Sequence, residues 1–157
     1  MVVPLITLIK LWLRKSVQNK IYALKSDMGN IFGVLCTIMN VRGYKTVIKL
    51  FPHEVSDMEP VTEMLQHCDY KQYIVPYVLV LWLSIIVLVP FDLTTIDSGS
   101  SSNQVELVKK IIKLGRDRID SAGKLRDAAS VMLSKLITRP DVVKSGECDL
   151  LIESLAV

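Results

Sequence analysis

Apolar residues along this 157-residue chain recur at three- and four-residue intervals in most segments, the spacing that gathers side chains onto one side of an α-helix. From Pro4, the row Leu5, Ile9, Trp12 and Leu13, with Lys10, Arg14 and Lys15 lying off it, predicts an amphipathic helix running to about Lys25. Ser26 to Asn30, which includes Asp27 and Gly29, reads as a polar break, after which Ile31, Leu35, Ile38 and Met39 line a second helix. Gly43 punctuates the chain. Tyr44 to Phe51 predicts a short helix stopped by Pro52, because a proline disfavours helical geometry in the residue before it. A turn is expected at His53 to Ser56. From Asp57 the spacing of Val61, Met64 and Leu65 predicts another helix, with Glu59 in its first turn, where a negative charge complements the helix dipole.

Ile74 to Phe91 breaks this alternation, since it carries no charge and its length reaches the range at which a membrane span must be considered. Pro76 is tolerated near a helix start, whereas Pro90 stops the helix and leaves Tyr77 to Val89 as the regular part. A helix of thirteen residues is about 20 Å long, against about 30 Å of bilayer hydrocarbon. A helix that is apolar all round also fits the centre of a layered helical protein, where neighbours cover every side. The buried helix is therefore the expected reading, and a small membrane protein with one span at 74–91 is the alternative.

Thr94 to Asn103 has the composition of a flexible surface loop and lacks the lysine of a phosphate-binding loop. Val105, Val108, Ile112 and Ile119 make the next stripe, with Glu106 and Lys110, Lys113 and Asp117, and Arg116 and Asp120 four apart on the solvated side. Gly123 separates this helix from one carrying Leu125, Ala129, Met132 and Leu136, which Pro140 terminates, and a last short helix is expected over Val142 to Val157. About seven helices and no alternating strand pattern give an all-α protein. Alternate helices begin roughly 35 to 50 residues apart, near the period of HEAT or armadillo repeats, though a plain helical bundle fits the spacing as well.

Half of the residues are hydrophobic, which excludes a disordered chain. The net charge of +3 is unevenly spread. Met1 to Pro52 holds eight basic residues against the single acid Asp27, and His53 to Tyr70 holds five acids and no Lys or Arg. A basic surface beside an acidic one suits protein partners of mixed charge. Only Tyr44 and Phe51 accompany Arg42, Lys45 and Lys49, too little aromatic interleaving for a nucleic-acid surface. Cys36, Cys68 and Cys148 are odd in number and far apart, as in a reducing compartment, and Met1 to Leu13 lacks the flanks of a signal peptide.

For catalysis the chain offers two histidines, His53 and His67. His67 beside Cys68 points about 100° away from it on a helix, and zinc wants four ligands, so surface or capping roles are expected for both histidines. Glu59 and Glu63 share a helical face and are expected to be solvated. No catalytic, cofactor-binding or metal residue is expected, and no cofactor.

Three runs go further: VRGYKTVIKLFPHEVSDMEPV (Val41 to Val61), YVLVLWLSIIVLVPFDL (Tyr77 to Leu93) and RDAASVMLSKLITRPDV (Arg126 to Val142). In this order and with these separations they resemble consecutive segments of the tubulin-specific chaperone D (tubulin folding cofactor D) family, in its amino-terminal region. The resemblance covers the chain from about Val41 onward. It implies a HEAT/armadillo-like α-solenoid, with residues 1–157 a single helical-repeat segment of a longer array. It further implies a cytoplasmic, microtubule-associated role in post-chaperonin tubulin folding. Members of the family bind β-tubulin, work with other tubulin folding cofactors and an Arf-like small GTPase, and in the full complex promote GTP hydrolysis by tubulin. It does not mark the residues that contact tubulin, and it implies no enzyme active site in this chain. Arg42, Lys45 and Lys49 could meet acidic tubulin surface, or form a solvated basic face.

Overall fold

The computed structural model describes residues 2–68, 72–89 and 101–144, together with positions 146 and 152. Among them are eight α-helices and no strand: α1 (Val2–Gln18), α2 (Ser26–Arg42), α3 (Tyr44–Val47), α4 (Met58–His67), α5 (Ile74–Ile86), α6 (Ser101–Ile119), α7 (Lys124–Ile137) and α8 (Pro140–Lys144). Two 3-10 turns, Ile48–Leu50 and Val55–Asp57, lie between α3 and α4. The all-α expectation holds, with one helix more than the seven or so expected.

The helices pack as three successive pairs, α1 with α2, α4 with α5 and α6 with α7. The first members, α1, α4 and α6, neighbour one another in one layer, and the second members, α2, α5 and α7, do so in the other. This is the two-layered stacking of a helical repeat array, in which each pair buries its apolar faces against the next.

The middle pair shows why α5 can be apolar on every side. It packs on α4 behind, α2 on one flank and α7 on the other, and every residue from Val75 to Ile86 is buried. The segment between α2 and α4 seals its remaining side. There Trp82, fully buried, donates its indole N–H to the Pro52 carbonyl at 3.0 Å and packs against Phe51 at 5.5 Å between ring centroids. Phe51 is extended (φ −74°, ψ 146°), as a residue before proline should be, and the Tyr44 helix therefore tightens into a 3-10 turn and stops.

At thirteen residues α5 is about 20 Å long, short of the roughly 30 Å a span requires, and no single helix among the described residues is long and apolar enough to cross a membrane. By length and composition α2 and the Tyr44–Leu50 segment would suffice together, but the chain bends 114° between them at Gly43, whose φ of +82° favours glycine.

Several element boundaries differ from the sequence reading. The first helix ends at Gln18, not near Lys25, and Ser26 to Asn30 open α2 instead of breaking the chain. The stop is made by Lys20 in left-handed geometry (φ 53°). The Lys20 N–H reaches Val17 O at 3.1 Å and the Ile21 N–H reaches Ser16 O at 2.8 Å, the paired bonds that close a helix C-terminus. Ser and Asp serve a helix's first turn better than its interior, so Ser26 and Asp27 suit the start of α2. Of the loop expected over Thr94 to Asn103, Ser101, Ser102 and Asn103 belong to α6, and positions 94–100 lie outside the described residues. Pro140 opens α8, where its missing N–H costs nothing, and most of the last helix expected over Val142 to Val157 also lies outside them.

Candidate partner interface

Polar side chains fasten each helix pair to the next, bonding between neighbours within a layer. Lys10 and Arg14 on α1 grip Asp57, whose side chain is 3% exposed. Lys10 Nζ lies 3.1 Å from one carboxylate oxygen and Arg14 Nη2 2.6 Å from the other. Lys10 also meets Glu54 at 2.6 Å, which holds the Glu54 carboxyl below its ordinary range, and the hydrogen bond that Arg14 donates to Asp57 raises the pKa of the already basic guanidinium. Arg118, buried on α6, donates to Leu65 O at the end of α4 at 2.6 Å. Arg139 donates to Val87 O at 2.5 Å and Val89 O at 3.1 Å just past α5, while its other two nitrogens hold both oxygens of Asp141.

The residues singled out for chemistry do not converge. His53 is exposed in the segment before α4. His67, also exposed, turns Nδ1 back to Glu63 O at 2.9 Å and stacks on Tyr22 at 3.7 Å. Glu59 is solvated as expected, but Glu63 is half-buried and accepts a hydrogen bond from the Tyr22 hydroxyl. That bond raises the Tyr22 pKa. Burial pushes the Cys68 thiol up to about 11, with nearby Arg118 opposing the shift, so it carries a proton at neutral pH and is a poor nucleophile. Among the described residues no three His, Cys, Asp or Glu side chains gather as metal ligands.

What remains is surface. A concavity of about 530 Å³ is an apolar groove where the first turn of α1 meets the end of α2 and the α3 segment. Val3, Ile38, Val41, Val47 and Leu50 line it, with Arg42 at its side. Val41 is 79% exposed, Val3 54% and Leu50 49%. Arg42, Lys45 and Lys49 are exposed along the same stretch of chain, and no carboxylate pairs with them among the described residues. One sequence signal could have revealed the groove. Beside the buried row of Phe32, Leu35, Cys36 and Met39, α2 carries a second apolar row, Val34, Ile38 and Val41, of which Val34 and Val41 are exposed.

Stacked helix pairs, joined to one another by polar fasteners within each layer, define a helical-repeat protein. A family model described as tubulin-specific chaperone D-like, ARM repeat, matches residues 1–156. The chain belongs to that family. It is 25% identical, over 80% of its length, to a tubulin-specific chaperone D of Dictyostelium discoideum. To a tubulin-folding cofactor D of Schizosaccharomyces pombe it is 28% identical over 69% of its length. The chain spans 14% and 9% of the length of these relatives. No solved structure matches it.

The three runs singled out in the sequence have structural work in common. Gly43 makes the turn into α3, Phe51 and Pro52 close over Trp82, Ser84 lies at the α7 face of α5 with Lys135 Nζ at 3.5 Å, and Arg139 caps the end of α5. All but the first touch α5 directly. The Pro90–Phe91–Asp92 piece lies outside the described residues.

Proposed function

We propose that the chain is a segment of a D-type tubulin folding cofactor, a longer helical array that binds β-tubulin as a scaffold in post-chaperonin folding and assembly of the α/β heterodimer. Family membership across residues 1–156 carries this reading, and the names of the two relatives, a tubulin-specific chaperone and a tubulin-folding cofactor, support it. A rigid array whose successive helix pairs are pinned by polar groups offers a broad fixed surface, which holds a partially assembled subunit without enclosing it. Other tubulin folding cofactors and an Arf-like small GTPase are partners of the assembled machine. Stimulation of GTP hydrolysis by tubulin belongs to the full complex, with this segment contributing binding and no catalytic group. A cytoplasmic, microtubule-associated location accords with that role.

The test is capture of β-tubulin by the intact protein and by one lacking residues 41–142. Capture lost on deletion, with the remaining array still folded by circular dichroism, agrees with the proposal. Undiminished capture contradicts a tubulin-binding role for this segment.

A further inference from the structure

The groove beside α2 has a shape, a lining and a charge that together specify an occupant. We infer that it receives an amphipathic helix of a partner protein, apolar on the side that enters and acidic along the flank that faces Arg42, Lys45 and Lys49. The floor is set by Val47, which is buried, and by Ile38. The walls are the exposed Val3, Val41 and Leu50. A groove with apolar walls accepts the ridge of a helix, whose side chains at three- and four-residue spacing enter it as a row.

Charge decides what lies beside the ridge. Of the basic residues before Pro52, Lys10 and Arg14 are committed to Glu54 and Asp57. Arg42, which lines the groove, and Lys45 and Lys49, exposed on the Tyr44–Leu50 segment that supplies its Thr46, Val47 and Leu50, have no such carboxylate among the described residues, and the sole acid before Pro52, Asp27, sits in the first turn of α2, at the opposite end from Arg42. An approaching acidic flank is attracted without first breaking an ion pair, and a basic one is repelled. Concavity argues against a lipid surface, which beds best on convex apolar patches.

The inference rests on the scaffold reading, since it supplies one contact point for a protein partner, but the two can fail separately. The probe is a synthetic helical peptide with leucines at three- and four-residue spacing and glutamates on one flank, followed by fluorescence anisotropy with the intact protein. The Arg42→Glu/Lys45→Glu variant and the Val41→Asp variant should each weaken binding at least about tenfold, as should replacing the peptide's glutamates with lysines. Unchanged melting temperatures show that the variants fold. Equal binding of the lysine peptide, or binding indifferent to both variants, overturns the inference. So does capture of the wild type, but not of the charge variant, by phosphatidylserine vesicles with no binding of the acidic peptide, which assigns the patch to lipid. If the variants lose the peptide and still capture β-tubulin, the groove serves another partner and the scaffold reading stands. If deletion of residues 41–142 leaves tubulin capture intact while the peptide result holds, the scaffold reading fails and the groove stands.

Discussion

Lys20 holds a backbone conformation that favours glycine, and it is the only described non-glycine residue with positive φ. Its Cβ is crowded there by the neighbouring carbonyl, at a cost of about 1 kcal/mol or more, part of which glycine would return as extra freedom in the unfolded chain. Lys20→Gly should therefore stabilise the protein by about 0.5 to 1 kcal/mol in urea unfolding. Asp57 presents the opposite case, a nearly buried carboxylate between two cations. Removing it by Asp57→Ala leaves Lys10 beside a desolvated site. The cost should be about 2 to 3 kcal/mol in the same measurement, at the low end for a broken buried pair because Arg14 is partly solvated. Cys68 has a pH signature. Its folded thiol holds its proton up to about 11 against an ordinary value of 9.0, so the folded state binds the proton more tightly than the unfolded state between those limits. Stability contributed by this thiol is complete below pH 9 and declines as pH rises toward 11. Iodoacetamide labelling of Cys68 should accordingly keep accelerating up to about pH 11, where an exposed thiol has already levelled off.

Among the elements, α5 was legible in the sequence because its signal is composition: a charge-free run bounded by prolines has few places to go. The last two repeat helices were legible from their period. The end of α1 was not, because glycine usually marks a left-handed cap and here lysine occupies it. The role of Asp57 was hidden too. Its partners lie on α1, more than forty residues earlier, and charges that distant in sequence meet only after the layers form. The groove escaped for a related reason, being built from three elements of which only the second apolar row of α2 gave any sign. The α6 and α7 pair carries a prediction of its own. Gly115 sits where an added Cβ would fall 2.7 Å from the Leu133 side chain and 2.8 Å from Met132 Cε. Alanine in place of a helical glycine ordinarily stabilises, but Gly115→Ala should destabilise by about 1 kcal/mol, because the two helices must part to admit the methyl group. A stabilising result in thermal melts would mean that the pair packs less closely.

At the scale of the whole molecule, three helix pairs share one core, and α5 lies at its centre. The three runs singled out in the sequence converge there: Phe51 and Pro52 over Trp82, Ser84 toward α7, and Arg139 on the carbonyls that follow the helix. Burial on every side accounts for a charge-free helix without invoking a bilayer, and it makes α5 the last part of the array to open, since exposing it dismantles all three pairs. Hydrogen exchange of the intact protein in aqueous buffer without detergent measures this directly. Amides from Val78 to Ile86 should be the slowest in the described fold, released only on global unfolding, and Trp82→Ala should accelerate them as it lowers stability by about 3 kcal/mol or more. Rapid exchange along α5 while α1, α4 and α7 stay protected would contradict the shared core, and with it the assignment of this helix to a stacked array.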